Sequence, residues 1–337
     1  MDNSFFALQW HITERCDQRC KHCYIFNGRN MTCTEFSVEQ LREIVNDFVE
    51  TCQKMKKSPI LTITGGDPLL YPNIWEFLSI LREKNIKFSI LGNPFHIDKA
   101  VAKELKSLGC YNYQMSIDGL KETHDFIRKN GSFDETLDKV KVLNNAHIHT
   151  SIMTTVSKSN IDEIPNLVPI VVEAGVKNFG FARYCPNPDD VDNMVSPTEY
   201  RKFLEKMWDK YVEYKDSGTR FALKDHLWKL FLYEKGLFDT SYEENLIVDG
   251  CHCGITHMTI LSNGDVYACR RCESFIGKVP EQSLYNIFFG KELNEYRKYD
   301  EFEKCSKCEL LRFCRGCPAV TKCATGSFYG ADPQCWK

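Results

Sequence analysis

Residues 8–23 read Leu8-Gln9-Trp10-His11-Ile12-Thr13-Glu14-Arg15-Cys16-Asp17-Gln18-Arg19-Cys20-Lys21-His22-Cys23. Leu8 to Thr13 reads as a strand, and three cysteines spaced Cys16-x3-Cys20-x2-Cys23 follow it directly on a loop. Three thiolates this close suit a cubane iron–sulfur cluster in which each cysteine takes one iron and the fourth iron stays open to a ligand. The competing readings are a zinc site that His22 completes, or idle surface thiols.

Downstream, strand-like and helix-like segments alternate. Ser37-Val38-Glu39-Gln40 is a capping box opening a helix with Leu41, Ile44, Val45, Phe48, Val49 and Cys52 at helical spacing. Strands are expected at 60–64, 86–91, 111–117, 149–156 and 176–182. Helices are expected at 74–83, 97–108, 134–144 and 161–174, with Gly109 ending the second of them. Strands separated by helices of this length predict a parallel sheet with covering helices, and six such units predict an α/β fold, a partial (β/α)6 barrel resembling a TIM barrel. After Pro186 two helices, 197–215 and 224–233, are expected with no strand between them. A hairpin follows, His257 to Leu261 and Val266 to Cys269, around Ser262-Asn263-Gly264-Asp265. The expected division is therefore 1–186, a helical bridge 187–250, and a small cysteine-rich domain 251–337.

The chain has 337 residues and 17 cysteines, 10 of them from Cys251 onward. No stretch approaches 18 uninterrupted apolar residues, so no transmembrane helix is expected. Asp2 stands where a signal peptide carries basic residues, which points to a cytoplasmic protein. In a reducing compartment an odd number of thiols is no disulfide framework, and metal ligation explains the excess better. A net charge of −3 without blocks of like charge gives no basis for binding nucleic acid or an anionic membrane.

Cys16, Cys20 and Cys23, followed by Tyr24, resemble the cluster motif of the radical S-adenosylmethionine (SAM) superfamily. Later strand ends match the same family in the same order. Gly65-Gly66-Asp67-Pro68 resembles the motif that meets the methionyl amino group; glycine is expected there because a Cβ blocks close backbone approach. Asp67 is one methylene shorter than the family's usual Glu. Gly92-Asn93 is expected near the ribose, although the commoner Thr-Asn-Gly order is absent. Ser116-Ile117-Asp118-Gly119 resembles a SAM-contacting segment, with His124-Asp125-x2-Arg128 beyond it. Arg128 and Arg183 are expected to pair with a carboxylate of SAM or substrate; the alternative for each is a salt bridge at the surface or between domains. These positions belong at the C-terminal strand ends, where β/α barrels build active sites. The resemblance implies a reduced [4Fe-4S] cluster that cleaves SAM to methionine and a 5′-deoxyadenosyl radical, which abstracts hydrogen from a substrate. It also implies a flavodoxin- or ferredoxin-type reductant.

Cys251-x-Cys253, Gly264-x4-Cys269-x2-Cys272, Cys305-x2-Cys308-x5-Cys314-x2-Cys317 and Cys335 are similar to the SPASM domain, which carries two auxiliary [4Fe-4S] clusters. A zinc ribbon competes, but only five residues separate the two CxxC pairs and there are more thiolates than one zinc uses. The last gap of the run is two residues where the family usually has three. Carried over, the family's ligation gives one cluster to Cys305, Cys308, Cys314 and Cys335, and the other to Cys251, Cys269 and Cys317. The fourth ligand of the latter is Cys253 or Cys272, with a lean to Cys253, or its iron is open. Cys33, Cys52, Cys110, Cys185 and Cys323 match nothing and read as buried or incidental thiols.

The resemblance further implies a ribosomally made peptide substrate. With the cluster motif starting at Cys16, a leader peptide is expected to be bound by a separate protein or by the barrel surface. Sulfatase maturases carry an acid directly after the cysteine corresponding to Cys269; Arg270-Arg271 stands there instead, which argues against sulfatase maturation and points to an acidic or carboxylate-bearing substrate region, the alternative being two solvated arginines. A small molecule or haem precursor is the enzymatic alternative. A non-catalytic electron carrier is the other class, and it leaves Gly65, Gly66, Asp67 and Ser116 without a purpose.

Overall fold

The computed structural model describes residues 4–23, 35–186, 188–241 and 247–337. Tyr24 and Cys33 lie outside them. Ten strands form one sheet: β1 Phe5–Thr13, β2 Ser58–Gly65, β3 Phe88–Leu91, β4 Cys110–Ser116, β5 His149–Val156, β6 Asn178–Arg183, β7 Arg220–Ala222, β8 His257–Ile260, β9 Asp265–Tyr267 and β10 Phe275–Lys278. Their order is β10-β9-β8-β1-β2-β3-β4-β5-β6-β7, and β1 to β7 run parallel. The crossovers carry α1 Val38–Lys54, α2 Ile74–Glu83, α3 Lys99–Leu108, α4 Lys121–Ile127, α5 Ser132–Asn145, α6 Ile164–Glu173 and α7 Pro197–Glu213. Beyond β7 follow α8 Leu227–Glu234, α9 Leu284–Phe289, α10 Lys291–Asn294 and α11 Pro318–Thr325.

Local chemistry sets the boundaries. Ser37 accepts from the Gln40 amide while the Gln40 side chain accepts from the Ser37 amide, so the capping box opens α1 as expected. α3 stops at Gly109, whose left-handed φ of 109° disfavours any residue with a Cβ. The apolar faces of α1 and α2 close over Trp10, Ile63 and Phe88, which are fully buried.

Two expectations are corrected. The segment after Pro186 is not helical alone, because Arg220–Ala222 adds a seventh parallel strand on β6; three residues of strand are too short for an alternation signal. The C-terminal hairpin forms, with β8 antiparallel to β9, but β8 also pairs parallel with β1, from Ala7↔His257 to Trp10↔Ile260. The cysteine-rich lobe is therefore an extension of the barrel sheet.

Candidate iron–sulfur and SAM site

The loop after β1 is anchored from three sides. Asn93, beyond the end of β3, donates through Nδ2 to Cys16 Sγ at 3.3 Å and to Asp17 Oδ1 at 3.2 Å. Its own carbonyl accepts from the Tyr113 hydroxyl at 3.1 Å. Arg128 donates through Nη1 to Cys20 Sγ at 3.8 Å and through Nε to Asp118, and the Lys21 amide bonds the Ile127 carbonyl at 2.9 Å. Burial pushes the Cys16 and Cys20 thiols up, while the Gln18 amide and Asn93 at Cys16, and Arg128 at Cys20, pull toward the thiolate that iron requires. Asn93 and Arg128, expected from sequence near the ribose and a carboxylate, are held here against the cysteine loop. His22 is not turned to the thiols as a zinc ligand; its Nε2 lies 3.4 Å from Asp118 Oδ2.

Asp118 is fully buried. It accepts from Arg128 and, at 2.7 Å, from the Thr155 amide, and its backbone amide donates to His124 Nδ1 at 3.0 Å. Burial opposes its charge, but Arg128 and His22 keep its pKa below the usual carboxylate range. It joins the ends of β4 and β5 to the cysteine loop. Ser116 closes β4 beside Met153 of β5.

The glycines after β2 meet protein. A Cβ on Gly65 would lie 2.2 Å from the Thr13 carbonyl oxygen, and one on Gly66 2.2 Å from that of Arg15. Close approach is required, as expected, but the approaching backbone is the cluster loop itself. We expect Gly66→Ala to displace that loop and destabilise the fold by about 1–3 kcal/mol, read as a lowered thermal midpoint together with weakened SAM binding. An unchanged midpoint would refute the packing argument. Asp67 is fully buried. Its Oδ1 caps the Leu69 amide at 3.3 Å, whereas Oδ2 has no hydrogen-bond partner. Ligand atoms of Asp17, Asp67 and His96 lie within 4.8 Å of one another. A buried, unsatisfied carboxylate oxygen in an acid-rich corner suits the ammonium of SAM. Asp17 and His96 were missed at sequence level, although Asp17 sits inside the cysteine motif.

Arg183 is the clearest correction. It is fully buried and donates to Asp225 at 2.8 Å, to Asp332 at 2.7 and 2.9 Å and to Gln334 at 3.2 Å. This is the interdomain salt bridge, leaving no guanidinium edge turned to a ligand. Asp332 also accepts from the Cys317 amide at 2.7 Å. Arg315, buried between cluster cysteines, donates to the carbonyls of Leu311, Asp249 and Cys251 and so ties two cysteine segments together.

The C-terminal thiols gather in two places. Cys251 contacts Cys253 and Cys269 contacts Cys272; Cys253 lies near Cys269 and Cys272, and Cys251 near Cys269 and Cys317. Cys305 stands beside Cys308 and Cys335, and Cys314 beside Cys305.

A cavity of about 490 Å³ opens between Lys21 and His22 of the cysteine loop, Thr123 and Phe126 of α4, and Thr155 and Ser157 at the end of β5.

The family model for the radical SAM superfamily matches residues 10–168, and that for SPASM, an iron-sulfur cluster-binding domain, matches residues 251–318. The chain is a radical SAM protein with a SPASM domain. It accordingly holds [4Fe-4S] clusters and binds SAM, a fit to which the three-cysteine loop and the unsatisfied Asp67 oxygen both conform. An AdoMet-dependent heme synthase of Methanosarcina barkeri is 25% identical over 345 residues, covering 99% of this chain and 97% of the relative. The mycofactocin maturase MftC of Mycolicibacterium smegmatis is 25% identical over 339 residues, covering 98% and 82%. Among solved structures, Streptococcus suis SuiB bound to S-adenosylmethionine superposes with a TM-score of 0.77 at 20% identity, over 99% of this chain and 78% of SuiB. This radical SAM–SPASM chain is an enzyme. Among the described residues no helix is long and apolar enough to cross a membrane.

Proposed function

We propose that this enzyme abstracts hydrogen from a carboxylate-bearing substrate, a ribosomally made peptide, held between the SAM-side loop and the first group of auxiliary thiols. When bound, SAM and the reduced cluster supply the 5′-deoxyadenosyl radical. Cys16, Cys20 and Cys23 hold that cluster, with Asn93 and Arg128 behind them. Asp67, beside Asp17 and His96, receives the methionyl ammonium, and Gly65 and Gly66 let the end of β2 lie against the loop. Cys305, Cys308, Cys314 and Cys335 hold one auxiliary cluster; Cys251, Cys269 and Cys317, with Cys253 or Cys272, hold the other. A flavodoxin- or ferredoxin-type protein is the electron donor, and a leader peptide, where present, is bound by a separate protein or the barrel surface.

The observation that carries the substrate class is a cationic group beside the auxiliary thiols. Lys224, just past β7, faces Arg270 and Arg271, which follow Cys269. The Lys224 side chain is exposed, and the surrounding protein together with the charges of Arg270 and Arg271 pushes its ammonium down. Arg271 is bonded to Cys317 Sγ and to the Arg183 carbonyl, so Lys224 and Arg270 are the cations offered to a carboxylate, with Arg271 adding positive charge behind them. A second reading, a haem precursor, is favoured by the same group together with the near full-length similarity to AdoMet-dependent heme synthases.

The test compares dithionite-driven 5′-deoxyadenosine formation in the presence of an acidic peptide and of an iron-porphyrin carboxylate. Stimulation by the peptide, with a mass change in it, supports the first reading. Stimulation by the porphyrin alone transfers the proposal to the second, and stimulation by neither sinks the carboxylate assignment. Lys224→Gln is expected to raise the KM for the stimulating substrate, and an unchanged KM would remove Lys224 from the substrate site.

A separate titration concerns Asp67, whose burial lifts its carboxyl to about 6. Above that value it is a carboxylate and pairs with the SAM ammonium; below it the proton removes the pairing. SAM affinity should therefore weaken as pH falls through about 6, and Asp67→Asn should bind SAM weakly and without that dependence. A parent affinity constant from pH 5 to 7.5 would exclude this role.

A further inference from the structure

Two cysteines that match no motif meet in the structure. Cys185 follows β6 at the mouth of the barrel, and Cys323 lies in α11, the helix that continues directly from Cys317. Their thiols are hydrogen-bonded to each other, both are partly exposed, and both are free. They pack with Met194 on a small cluster built from Cys272, Cys317, Ala319 and Val320, with Cys269 at its edge. Cys323 Sγ also reaches the Arg271 carbonyl at 3.8 Å, and Arg271 donates to Cys317 Sγ at 3.6 Å. A cubane takes four thiolates, and Cys251, Cys269 and Cys317 with Cys253 or Cys272 supply them. Cys185 and Cys323 are left over, side by side on that cluster, with Cys323 also bonded to the Arg271 carbonyl.

We propose that Cys185 and Cys323 form a redox-active dithiol that closes to a disulfide at the expense of a low-molecular-weight disulfide, tying the end of β6 covalently to α11. One cysteine sulfur attacks the reagent's S–S bond, forming a mixed disulfide and expelling one thiol. The other cysteine sulfur attacks that mixed disulfide, forming the Sγ–Sγ bond and expelling the second thiol. Two electrons pass from the cysteine pair to the reagent, and the two cysteine protons end on the two expelled thiols. No further oxidant is needed. Because one cysteine belongs to the barrel and the other to the cluster-bearing lobe, the bond is an interdomain latch beside the auxiliary thiols.

The test treats the anaerobic holoenzyme with oxidised glutathione, blocks remaining thiols with N-ethylmaleimide, and maps peptides by mass spectrometry. The expected result is one Cys185–Cys323 cross-linked peptide, loss of two alkylatable thiols, reversal by dithiothreitol and unchanged iron content. In Cys185→Ser, Cys323 should retain one glutathione because the resolving thiol is missing; Cys323→Ser should trap it on Cys185. Full alkylation of both cysteines in the treated parent overturns the proposal. So does a cross-link from either to Cys269, Cys272 or Cys317. Loss of one cluster's worth of iron from either serine variant would make the pair ligands instead, and would equally overturn it.

Discussion

Changing Cys16, Cys20 and Cys23 together to alanine abolishes SAM cleavage, leaving 5′-deoxyadenosine at the level of a reaction without enzyme. The chain also loses about four irons while retaining the rest, since a [4Fe-4S] cluster with its three protein ligands gone has nothing left to hold it. The fold should survive, because the loop is fixed by contacts that do not use the thiols: Lys21 to the Ile127 carbonyl, and Asp67 amide to the Arg15 carbonyl at 2.7 Å. Circular dichroism and a thermal midpoint near that of the parent check this, so that lost activity is read as lost chemistry. Continued 5′-deoxyadenosine formation by the triple variant would refute the role given to these cysteines. Asn93→Ala should retain iron and act more mildly, by removing one hydrogen bond to Cys16.

The largest effect on stability is expected for Asp332→Ala. Arg183 and Asp332 are both buried, and their two hydrogen bonds of 2.7 and 2.9 Å join the end of β6 to the C-terminal tail. Removing the carboxylate leaves a buried guanidinium with Asp225 as its remaining acid, a loss of about 3–5 kcal/mol for a broken buried pair. It also frees the Cys317 amide, so iron content at the auxiliary site should fall with stability. Burial opposes the Asp332 charge, yet Arg183 holds its pKa below the usual range. Its stabilisation is therefore present at neutral pH and is lost as pH falls through that depressed value. Anaerobic denaturant unfolding measures the loss, and Asp332→Asn, which keeps an acceptor for Cys317, should recover part of the iron but little of the stability. A variant as stable as the parent would show that Arg183 is satisfied without Asp332.

Motifs that depend on one short segment were legible from sequence. The capping box at Ser37 and the hairpin around Gly264 each carry their chemistry in a few adjacent residues, and each formed; the three-cysteine spacing is likewise local and sits directly after β1. What was not legible depends on pairing between distant segments. Arg183 reads as a ligand for an anion until the tail brings Asp332 to it across 149 positions. Asn93 stands past the end of β3 and Arg128 at the end of α4, and each meets a cysteine of the loop, which no spacing rule states. Asp17 and His96 have no motif of their own and become visible only where the ends of β1, β2 and β3 converge. The strand Arg220–Ala222 is too short to show a period, and β8 was expected as half of a hairpin, with no signal for its second neighbour.

That second neighbour ties the two cysteine-bearing regions to one frame. β1 carries the three-cysteine loop at its end, and β8 lies hydrogen-bonded along it, with Cys253 before β8 and Cys269 after β9. The two regions cannot shift against each other without shearing that ladder, so in the proposed reading a signal passing between them acts through the loops or the bound substrate, because the frame beneath both is shared.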